Sequence, residues 1–434
     1  MNRIEVGVSV GGQDLPVGLL GPTRRKGRDI GAHFAYHASY LADPSGYAID
    51  PNLPLRSGTQ FTRPGQLMFG AFADCAPDRW GRTLLQRAAH RAAAGTSTRD
   101  LTEVDYLLGA RDDLRQGALR FRSPAGGPFL ATEDRGVPAL TELSELLDLA
   151  NRAQEDRLVA DELARLVRGG SSLGGARPKA HVRSADDTVA IAKFPSAMHD
   201  TWDVMAWEAT TLTLAGDAGI AVPPFELLDL AGRSVLVIDR FDRHGPLDGP
   251  ATRLGYVSAM TMLDARDGEA GDVLDLVDVA EIHSPTATDD IGQLWRRAVF
   301  SALVSNTDNH LRNHGYLRTR GGWKLAPAFD LNPNPDRAEL AVGVNGHHTG
   351  IIDAAVSSSE LFRLDRAEAL AVLGEVTDAV SHWDTVARTL GLPRAAIDRM
   401  RPAFDHPDAH RATELIGRPG RHDRAAADRA TPDP

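Results

Sequence analysis

The stretch that decides the fold is Val304-Ser-Asn-Thr-Asp-Asn-His-Leu-Arg-Asn-His314, and a second segment, Ala326-Pro-Ala-Phe-Asp330, follows it closely. In the first segment Asp308 and Asn313 are five residues apart, and the second segment ends in another aspartate. A carboxylate can accept the proton of a hydroxyl group, whereas an amide and a further carboxylate are suitable ligands for a hard divalent cation. The two segments therefore predict a catalytic centre that uses a metal ion.

Regular elements are predicted on both sides of these segments. Leu294–Val304 has the apolar spacing of an amphipathic helix. Tyr316–Arg318 and Trp323–Leu325 read as short strands on either side of the turn Arg320-Gly-Gly322. The first polar segment is thus predicted as a loop between a helix and a hairpin.

This arrangement is typical of protein kinases. Their catalytic loop carries a base aspartate and a Mg²⁺-binding asparagine five residues apart, and a second metal-binding aspartate beside a phenylalanine follows. By this pattern Asp308 is predicted as the catalytic base, and Asn313 and Asp330 as ligands of Mg²⁺. The predicted phosphoryl donor is ATP.

A phosphate-binding half of such a site is predicted upstream. The glycine-rich segment (Gly169–Lys179) contains Gly174 and Gly175 and could cover phosphates with its backbone N–H groups. Lys193 lies among apolar neighbours in the predicted strand Thr188–Phe194, from which it could reach the phosphates of ATP. Lysine is rare in this chain, in which arginine is the usual cation; the four lysines are Lys26, Lys179, Lys193 and Lys324. A position that keeps lysine indicates a need for a compact ammonium group.

Two further elements complete this predicted half. The helix Trp202–Ala215 carries Glu208, which could orient Lys193 through an ion pair. The strand Ser234–Phe241 would connect two lobes and offer backbone groups to adenine.

The N-terminal region is predicted to be β-rich and then helical. Ile4–Val10 alternates apolar and polar residues, as a half-buried strand does. Extended stretches are predicted at Val17–Leu20 and His33–Tyr40, a helical pattern from Asp78, and mostly helix over 101–170. Together with the downstream elements this order predicts an α+β, bilobal, protein-kinase-like fold, with a β-rich N-terminal lobe and a mainly helical C-terminal lobe.

Composition limits the classes of function. The formal net charge is −11, so tight nucleic-acid binding by the chain itself is disfavoured, because phosphate contacts need a basic face. No run of eighteen apolar residues is present, and Cys75 is the one cysteine. We therefore expect a cytoplasmic protein with no membrane segment and no internal disulfide.

Other interpretations of the same residues stay open at this point. His310 and His314 are four apart and could bind zinc from a helix, but no third ligand has a matching pattern, so His310 is predicted to brace the loop. A kinase fold could also act on a small-molecule substrate. A third alternative is a non-catalytic regulator that only binds nucleotide.

At these motifs the chain resembles the HipA family of serine/threonine kinases, the toxins of bacterial type II toxin–antitoxin pairs. The resemblance covers nearly the whole chain, and its core motifs are Ser172-Leu-Gly-Gly-Ala-Arg-Pro-Lys179, Asp239-Arg-Phe-Asp-Arg243, Asn306-Thr-Asp-Asn-His-Leu-Arg-Asn313 and Ala326-Pro-Ala-Phe-Asp-Leu-Asn332. It implies four regions: a HipA N-terminal-like subdomain (1–110), the rest of the N-lobe (111–245), the helical C-lobe (246–417) and a disordered tail (418–434).

The resemblance also implies roles for individual residues. Asp239 and Phe241 would lie at the adenine-binding hinge, and Ser172, or its neighbour Ser171, would be autophosphorylated. Together with the residues predicted from the motifs themselves, the full set predicted to bind ATP is Ser172, Gly174, Gly175, Lys179, Lys193, Glu208, Asp239, Phe241 and His310.

As for partners, the resemblance implies a HipB-like helix-turn-helix antitoxin, which would supply contact with DNA indirectly. The implied substrate is a translation-related protein such as an aminoacyl-tRNA synthetase.

Overall fold

The computed structural model describes residues 3–26, 28–77, 79–92, 100–123, 126–130, 137–170, 177–184, 186–196, 198–245, 252–337 and 339–417. The strands in chain order are β1 (Ile4–Val10), β2 (Gln13–Arg25), β3 (Arg28–Tyr36), β4 (Gln60–Phe61), β5 (Leu119–Arg122), β6 (Lys179–Arg183), β7 (Val189–Lys193), β8 (Phe225–Asp229), β9 (Ser234–Asp239), β10 (Arg243–His244), β11 (Thr252–Arg253), β12 (Tyr256–Ser258), β13 (Gly271–Asp272), β14 (Gly315–Thr319), β15 (Gly322–Leu325) and β16 (Val342–Gly343).

The α-helices in chain order are α1 (Ala38–Leu41), α2 (Gly70–Asp74), α3 (Arg79–Ala92), α4 (Glu103–Gly109), α5 (Leu143–Gln154), α6 (Ala160–Gly170), α7 (Val204–Asp217), α8 (Ala259–Met262), α9 (Val273–His283), α10 (Ala287–Leu303), α11 (Ile351–Ser357), α12 (Arg366–Ser381), α13 (Trp383–Thr389), α14 (Arg394–Met400) and α15 (Pro407–Leu415). No helix in the described part of the chain has the length and apolar character needed to cross a membrane.

The chain divides into two compact units. The N-terminal unit consists of Met1–Thr201, Pro224–Ala265 and Tyr316–Thr319. The C-terminal unit consists of the three remaining segments, Trp202–Pro223, Arg266–Gly315 and Arg320–Pro434. Strands dominate the first unit and helices the second, as the α+β prediction requires.

Two sheets organise the N-terminal unit. The first has the order β4-β3-β2-β1-β5, and its neighbouring strands are antiparallel. The second has the order β6-β7-β9-β8 and is also antiparallel. A core of α3, α5 and α6 covers this second sheet, with Trp80, Leu146 and Leu166 packed near Ala180 and Val235. The second sheet carries three of the residues that the sequence assigns to nucleotide binding, Lys179, Lys193 and Asp239.

Helices form the frame of the C-terminal unit. α10 is buried along most of its length and packs against α9, α11 and α12, and α7 packs against α12 and α13. An aromatic cluster joins α7 to the last helices, since the rings of Trp207, Trp383 and Phe404 contact one another, with the last two stacked 4.5 Å apart. The loop that carries Asp308 begins directly after α10.

The predicted elements are mostly confirmed, with two corrections. The extended stretch predicted over His33–Tyr40 is wrong beyond Tyr36, because Ala38–Leu41 forms a helical turn. The mostly helical interval 101–170 also contains β5, in which Leu119 and Phe121 are buried and the alternating arginines are not. The disordered tail predicted from 418 lies outside the described residues.

Candidate active site

The loop after α10 presents one exposed carboxylate on a buried backbone. Asn306, Thr307 and Asn309 are all buried, whereas Asp308 between them is exposed. Ser305, at the start of the loop, has the left-handed φ of 49°, an uncommon conformation for a residue with a Cβ. A loop that buries its polar neighbours and directs one carboxylate outward is suited to binding or catalysis rather than to general solvation.

A compact turn orients Asn313 relative to this aspartate. The backbone N–H of His310 donates to the Asp308 carbonyl (2.9 Å), and that of Asn313 donates to the His310 carbonyl (2.8 Å). The side-chain Nδ2 of Asn313 also donates to the Asp308 carbonyl, at 2.9 Å. Because the nitrogen of the amide is used in this way, its oxygen is directed away from the turn and remains suitable as a ligand.

The segment that carries Asp330 is tied to the same loop. The backbone N–H of Asn332 donates to Oδ1 of Asn306 (3.2 Å), and Nδ2 of Asn334 donates to Oγ1 of Thr307 (3.0 Å). Asp330 itself has a φ of 59°, again in the left-handed region. The structure thus brings the three predicted catalytic residues of the C-terminal unit onto two segments joined by hydrogen bonds.

A threonine that the sequence analysis missed holds this segment to α7. Oγ1 of Thr211 donates to the backbone carbonyl of Leu331, immediately after Asp330. Glu208 lies one turn earlier in α7 and is only 1 % exposed. The helix that carries Glu208 is therefore fixed to the segment that carries Asp330. No sequence signal marks Thr211, because the two partners are 120 residues apart.

The oxygen atoms in this part of the unit fit a hard cation such as Mg²⁺. Asn313 presents its amide oxygen, Asp330 supplies a carboxylate, and Oδ1 of Asn332 is buried with no hydrogen-bond partner in the described structure. Among the residues described, no cluster of three or more His, Cys, Asp and Glu side chains could hold a metal. A site that includes amide oxygens is consistent with both observations, and oxygen ligands are those that Mg²⁺ prefers.

His310 and His314, which could bind zinc in the alternative interpretation, have no third zinc ligand among the described residues. His314 is buried, and neither of its ring nitrogens has a hydrogen-bond partner among the described residues. A cavity of about 10 Å³, room for roughly one water molecule, lies beside it and beside Asn309 and Asn313. Burial, together with Arg297 and His310, lowers the pKa of His314 to about 3.

This buried imidazole predicts acid sensitivity. An unfolded histidine titrates near pH 6.5, so below that pH the unfolded chain binds a proton that the folded chain does not bind until about pH 3. We expect His314→Phe to reduce the pH dependence of the free energy of unfolding in this window by up to about 1.4 kcal/mol per pH unit. Denaturant unfolding of wild type and variant at several pH values measures this pH dependence. His199→Phe, at an exposed histidine, is the control; equal slopes for wild type and His314→Phe would contradict the assignment.

The second sheet of the N-terminal unit places two of the four lysines opposite each other. Lys179 at the start of β6 pairs with Lys193 at the end of β7 in the antiparallel register. Residues directly opposite point to the same face, and like charges in such positions are destabilising. Both lysines are buried, and the ring nitrogen of Trp80 donates to the Lys179 carbonyl (3.0 Å). The register therefore places the two lysines that the sequence assigns to ATP on the same face of the second sheet.

The predicted hinge motif separates into half-buried and buried positions. Asp239 and Phe241 are half-buried, and Phe241 lies 6.3 Å from the ring of Tyr256. Burial and the nearby Asp186 raise the pKa of Asp239. Arg240 lies between these two residues and is buried. The side chains assigned to adenine contact therefore keep access to solvent.

The buried positions of this motif form a charge cluster that the sequence analysis missed. The guanidinium of Arg240 donates to both oxygens of Asp242, at 2.8 and 2.6 Å, and Arg243 donates to the same carboxylate at 3.2 Å. The backbone N–H of Gly117 donates to it as well (2.7 Å). Burial acts to raise the pKa of Asp242, but Arg240 and Arg243 outweigh it and hold this pKa below its usual range.

Some predicted positions stay predictions. Ser171, Ser172, Gly174 and Gly175 lie outside the described residues. Lys193 belongs to the N-terminal unit and Glu208 to the C-terminal unit, so their predicted ion pair is not tested.

Comparison with known proteins identifies the family. The family described as "HipA-like C-terminal domain" matches residues 171–398, and the "HipA N-terminal domain" family matches residues 9–114. The first match alone spans more than half of the chain. The chain belongs to the HipA family. The resemblance drawn from its motifs is thereby confirmed.

Individual HipA relatives agree with this assignment. "Putative kinase Y4mE" of Sinorhizobium fredii (strain NBRC 101917 / NGR234) is 27 % identical over 333 residues, which are 71 % of this chain and 73 % of that protein. A chain in the solved complex of the Shewanella oneidensis MR-1 toxin–antitoxin system HipA, HipB and its operator DNA has a TM-score of 0.66. That match is 16 % identical and covers 96 % of this chain and all of the other, so it shows a shared fold. Family, fold and relatives together support a HipA-like kinase.

Proposed function

We propose that this protein is an ATP- and Mg²⁺-dependent serine/threonine protein kinase and the toxin of a toxin–antitoxin pair. One observation carries the proposal: Asp308 is exposed on an otherwise buried loop that is hydrogen-bonded to the segment of Asp330 and orients the oxygen of Asn313. That combination supplies a proton acceptor and cation ligands in one place. A site that only bound nucleotide would not need the exposed carboxylate.

The proposed reaction follows from these groups. The hydroxyl oxygen of a protein serine or threonine forms a bond to the γ-phosphorus of ATP as the bond to the β,γ-bridging oxygen breaks, and ADP leaves. Asp308 accepts the hydroxyl proton. Asn313 and Asp330 hold the cation, which when bound neutralises charge on the phosphates.

The remaining residues of the proposed site bind ATP or support the loop. Lys179 and Lys193 bind phosphate oxygens, and Asp239 and Phe241 lie beside adenine. His310 closes the turn between the base and the metal ligand.

The finer parts of the proposal concern regulation and partners. Phosphate transferred to Ser172, or to Ser171, would add up to about two negative charges to the glycine-rich segment and so repel ATP. A HipB-like helix-turn-helix antitoxin would provide the contact with DNA, because the net charge of this chain is −11. The proposed target is a translation-related protein such as an aminoacyl-tRNA synthetase.

The proposal is tested with ATP labelled in its γ-phosphate. We expect label on a serine or threonine of the protein itself when Mg²⁺ is present, and none when the metal is chelated. Label that appears only on a small molecule would replace the proposal with a small-molecule phosphotransferase. ATP binding without any transfer, also in the presence of translation proteins, would leave a nucleotide-binding regulator.

The contact between α7 and the metal-binding segment gives a more specific expectation. Thr211→Val keeps the shape of the side chain and removes the hydroxyl, which contacts the carbonyl of Leu331 and, within α7, those of Trp207 and Glu208. Losing one such bond is worth about 1 kcal/mol, so we expect about a fivefold rise in the Mg²⁺ concentration needed for half-maximal transfer. Thr213→Val is the matched control, because Oγ1 of Thr213 donates only to Ala209 within α7. Equal Mg²⁺ dependence of the two variants would show that the contact does not position Asp330.

A further inference from the structure

A single buried histidine connects two parts of the N-terminal unit. His181, in β6, is 0 % exposed. Its Nδ1 lies 3.0 Å from the carbonyl oxygen of Gly169 at the end of α6, and its Nε2 lies 2.9 Å from Nη1 of Arg240 just after β9. The glycine-rich segment continues from Gly169, and Arg240 stands between Asp239 and Phe241. The imidazole therefore contacts the first residue of the glycine-rich segment and the residue between the two predicted hinge positions.

The donor-only guanidinium group of Arg240 determines the direction of both hydrogen bonds of His181. A guanidinium group has only donors, so Nε2 of His181 must accept from Arg240. The proton of the neutral ring is then on Nδ1, which donates to the Gly169 carbonyl. Burial, reinforced by the charge of Arg240, lowers the pKa of His181 well below its usual value. The ring therefore stays neutral and keeps this one tautomer.

The side chain of Arg240 is firmly held, and the carbonyl group of Gly169 needs a hydrogen-bond donor. Arg240 is fixed by its bidentate contact with Asp242 and by the backbone carbonyls of Leu114 and Arg115. Gly169 lies in the last turn of α6, where the carbonyl groups accept no hydrogen bond from within the helix. They therefore require a donor from elsewhere in the protein. Gly169 is also buried, so water does not readily replace the imidazole.

We propose that His181 is a positioning residue that fixes the end of α6, at Gly169, to the strand end that carries Asp239 and Phe241. Arg240 is bonded directly to Asp239 and Phe241, so holding its side chain in the core also limits the positions of these two half-buried neighbours. This inference rests on the proposed function in so far as both stretches contact ATP. Its consequence is that the bond from Nδ1 to Gly169, rather than mere filling of the core, sets the affinity for ATP.

Two conservative variants separate the two hydrogen bonds. The amide nitrogen of His181→Asn can take the place of Nδ1 and keep the bond to Gly169. The amide oxygen of His181→Gln can take the place of Nε2 and keep the bond from Arg240, while the bond to Gly169 is lost. Amide hydrogen exchange of α6 in the nucleotide-free protein reports the anchor directly, with α5 as an internal reference for any general loss of stability.

We expect His181→Gln to accelerate exchange in the last turn of α6 about tenfold relative to α5, and His181→Asn to leave it as in wild type. In the kinase assay His181→Gln should raise the KM for ATP by about the same factor, with kcat nearly unchanged. Equal exchange in α6 for the two variants, or faster exchange in the asparagine variant, would overturn the proposal. Should the glutamine variant not fold, wild-type exchange in His181→Asn supports the proposal and accelerated exchange overturns it.

Failure of the proposed function is distinguishable from failure of this inference. Hydrogen exchange is measured without ATP and does not depend on catalysis. A wild-type protein that transfers no phosphate would overturn the kinase proposal while the exchange result still decides whether His181 positions Gly169.

Discussion

The Asp308→Asn variant is expected to lose phosphoryl transfer by a factor of about 10²–10⁴, the usual contribution of general acid–base catalysis. The substitution keeps the size and shape of the side chain, and removes the negative charge and the ability to accept the hydroxyl proton. Asp308 is exposed, and the turn to Asn313 uses only its backbone carbonyl. The loop should therefore keep its conformation, and affinity for ATP should change little.

Rates under saturating ATP and Mg²⁺, together with ATP affinity from calorimetry, measure both parts of this expectation. Asp336→Asn is a matched control, because Asp336 is an exposed aspartate in the same unit, six residues after Asp330. It should retain the wild-type rate. A loss of ATP binding in Asp308→Asn that parallels the loss of rate would mean that Asp308 binds substrate or metal instead of acting as the base.

The Asp242→Asn variant is expected to lower the free energy of unfolding by about 3–5 kcal/mol, which is typical when one partner of a buried ion pair is removed. Its carboxylate accepts from Arg240, Arg243 and the backbone of Gly117. An amide would leave two buried guanidinium groups without a counter-charge and direct its own N–H groups at donors. No comparable compensation from water is available at a residue that is 3 % exposed.

Denaturant unfolding of wild type and variant at neutral pH measures this loss. Asp187→Asn is the control, because the ion pair between Asp187 and Arg183 is partly exposed and such pairs contribute about 0–1 kcal/mol. The lowered pKa of Asp242 gives the pH dependence: its stabilising effect is complete above the unfolded pKa near 3.9 and is lost as pH falls through the folded value. A variant as stable as Asp187→Asn would show that the cluster is not what holds this part of the unit.

The C-terminal half of the candidate site was predictable because its chemistry is local in the sequence. Asp308 and Asn313 are held by one short turn, and Asp330 follows within a few residues of the predicted hairpin. Spacing alone could therefore group them. Family membership and fold are confirmed, whereas the catalytic roles of these residues remain proposals that the variants above test.

Contacts between distant segments were not predictable in this way. The hydrogen bond from Thr211 to Leu331 depends on how α7 packs in its unit, and neither residue carries a motif. The facing of Lys179 and Lys193 depends on the strand register, which the intervening turn sets.

The burial of the motif Asp239–Arg243 also depends on a distant segment and was not predictable from the sequence. Its sequence suggested only hinge contacts, but in the structure Asp239 and Phe241 are half-buried, whereas Arg240, Asp242 and Arg243 form a buried charge cluster. The burial of Arg240 and Asp242 follows from the segment around Gly117, more than 120 residues earlier in the chain. A pattern of residue types cannot specify such a partner.

The most direct test of the central claim is intact-mass spectrometry of the purified protein incubated with ATP and Mg²⁺, with Asp308→Asn in parallel. The account predicts that the wild type gains phosphate, that peptide mapping finds it on Ser172 or Ser171, and that the variant gains none although it binds ATP. Phosphate gained equally by both proteins, or by neither despite ATP binding, would contradict the assignment of Asp308 as the base of a protein kinase.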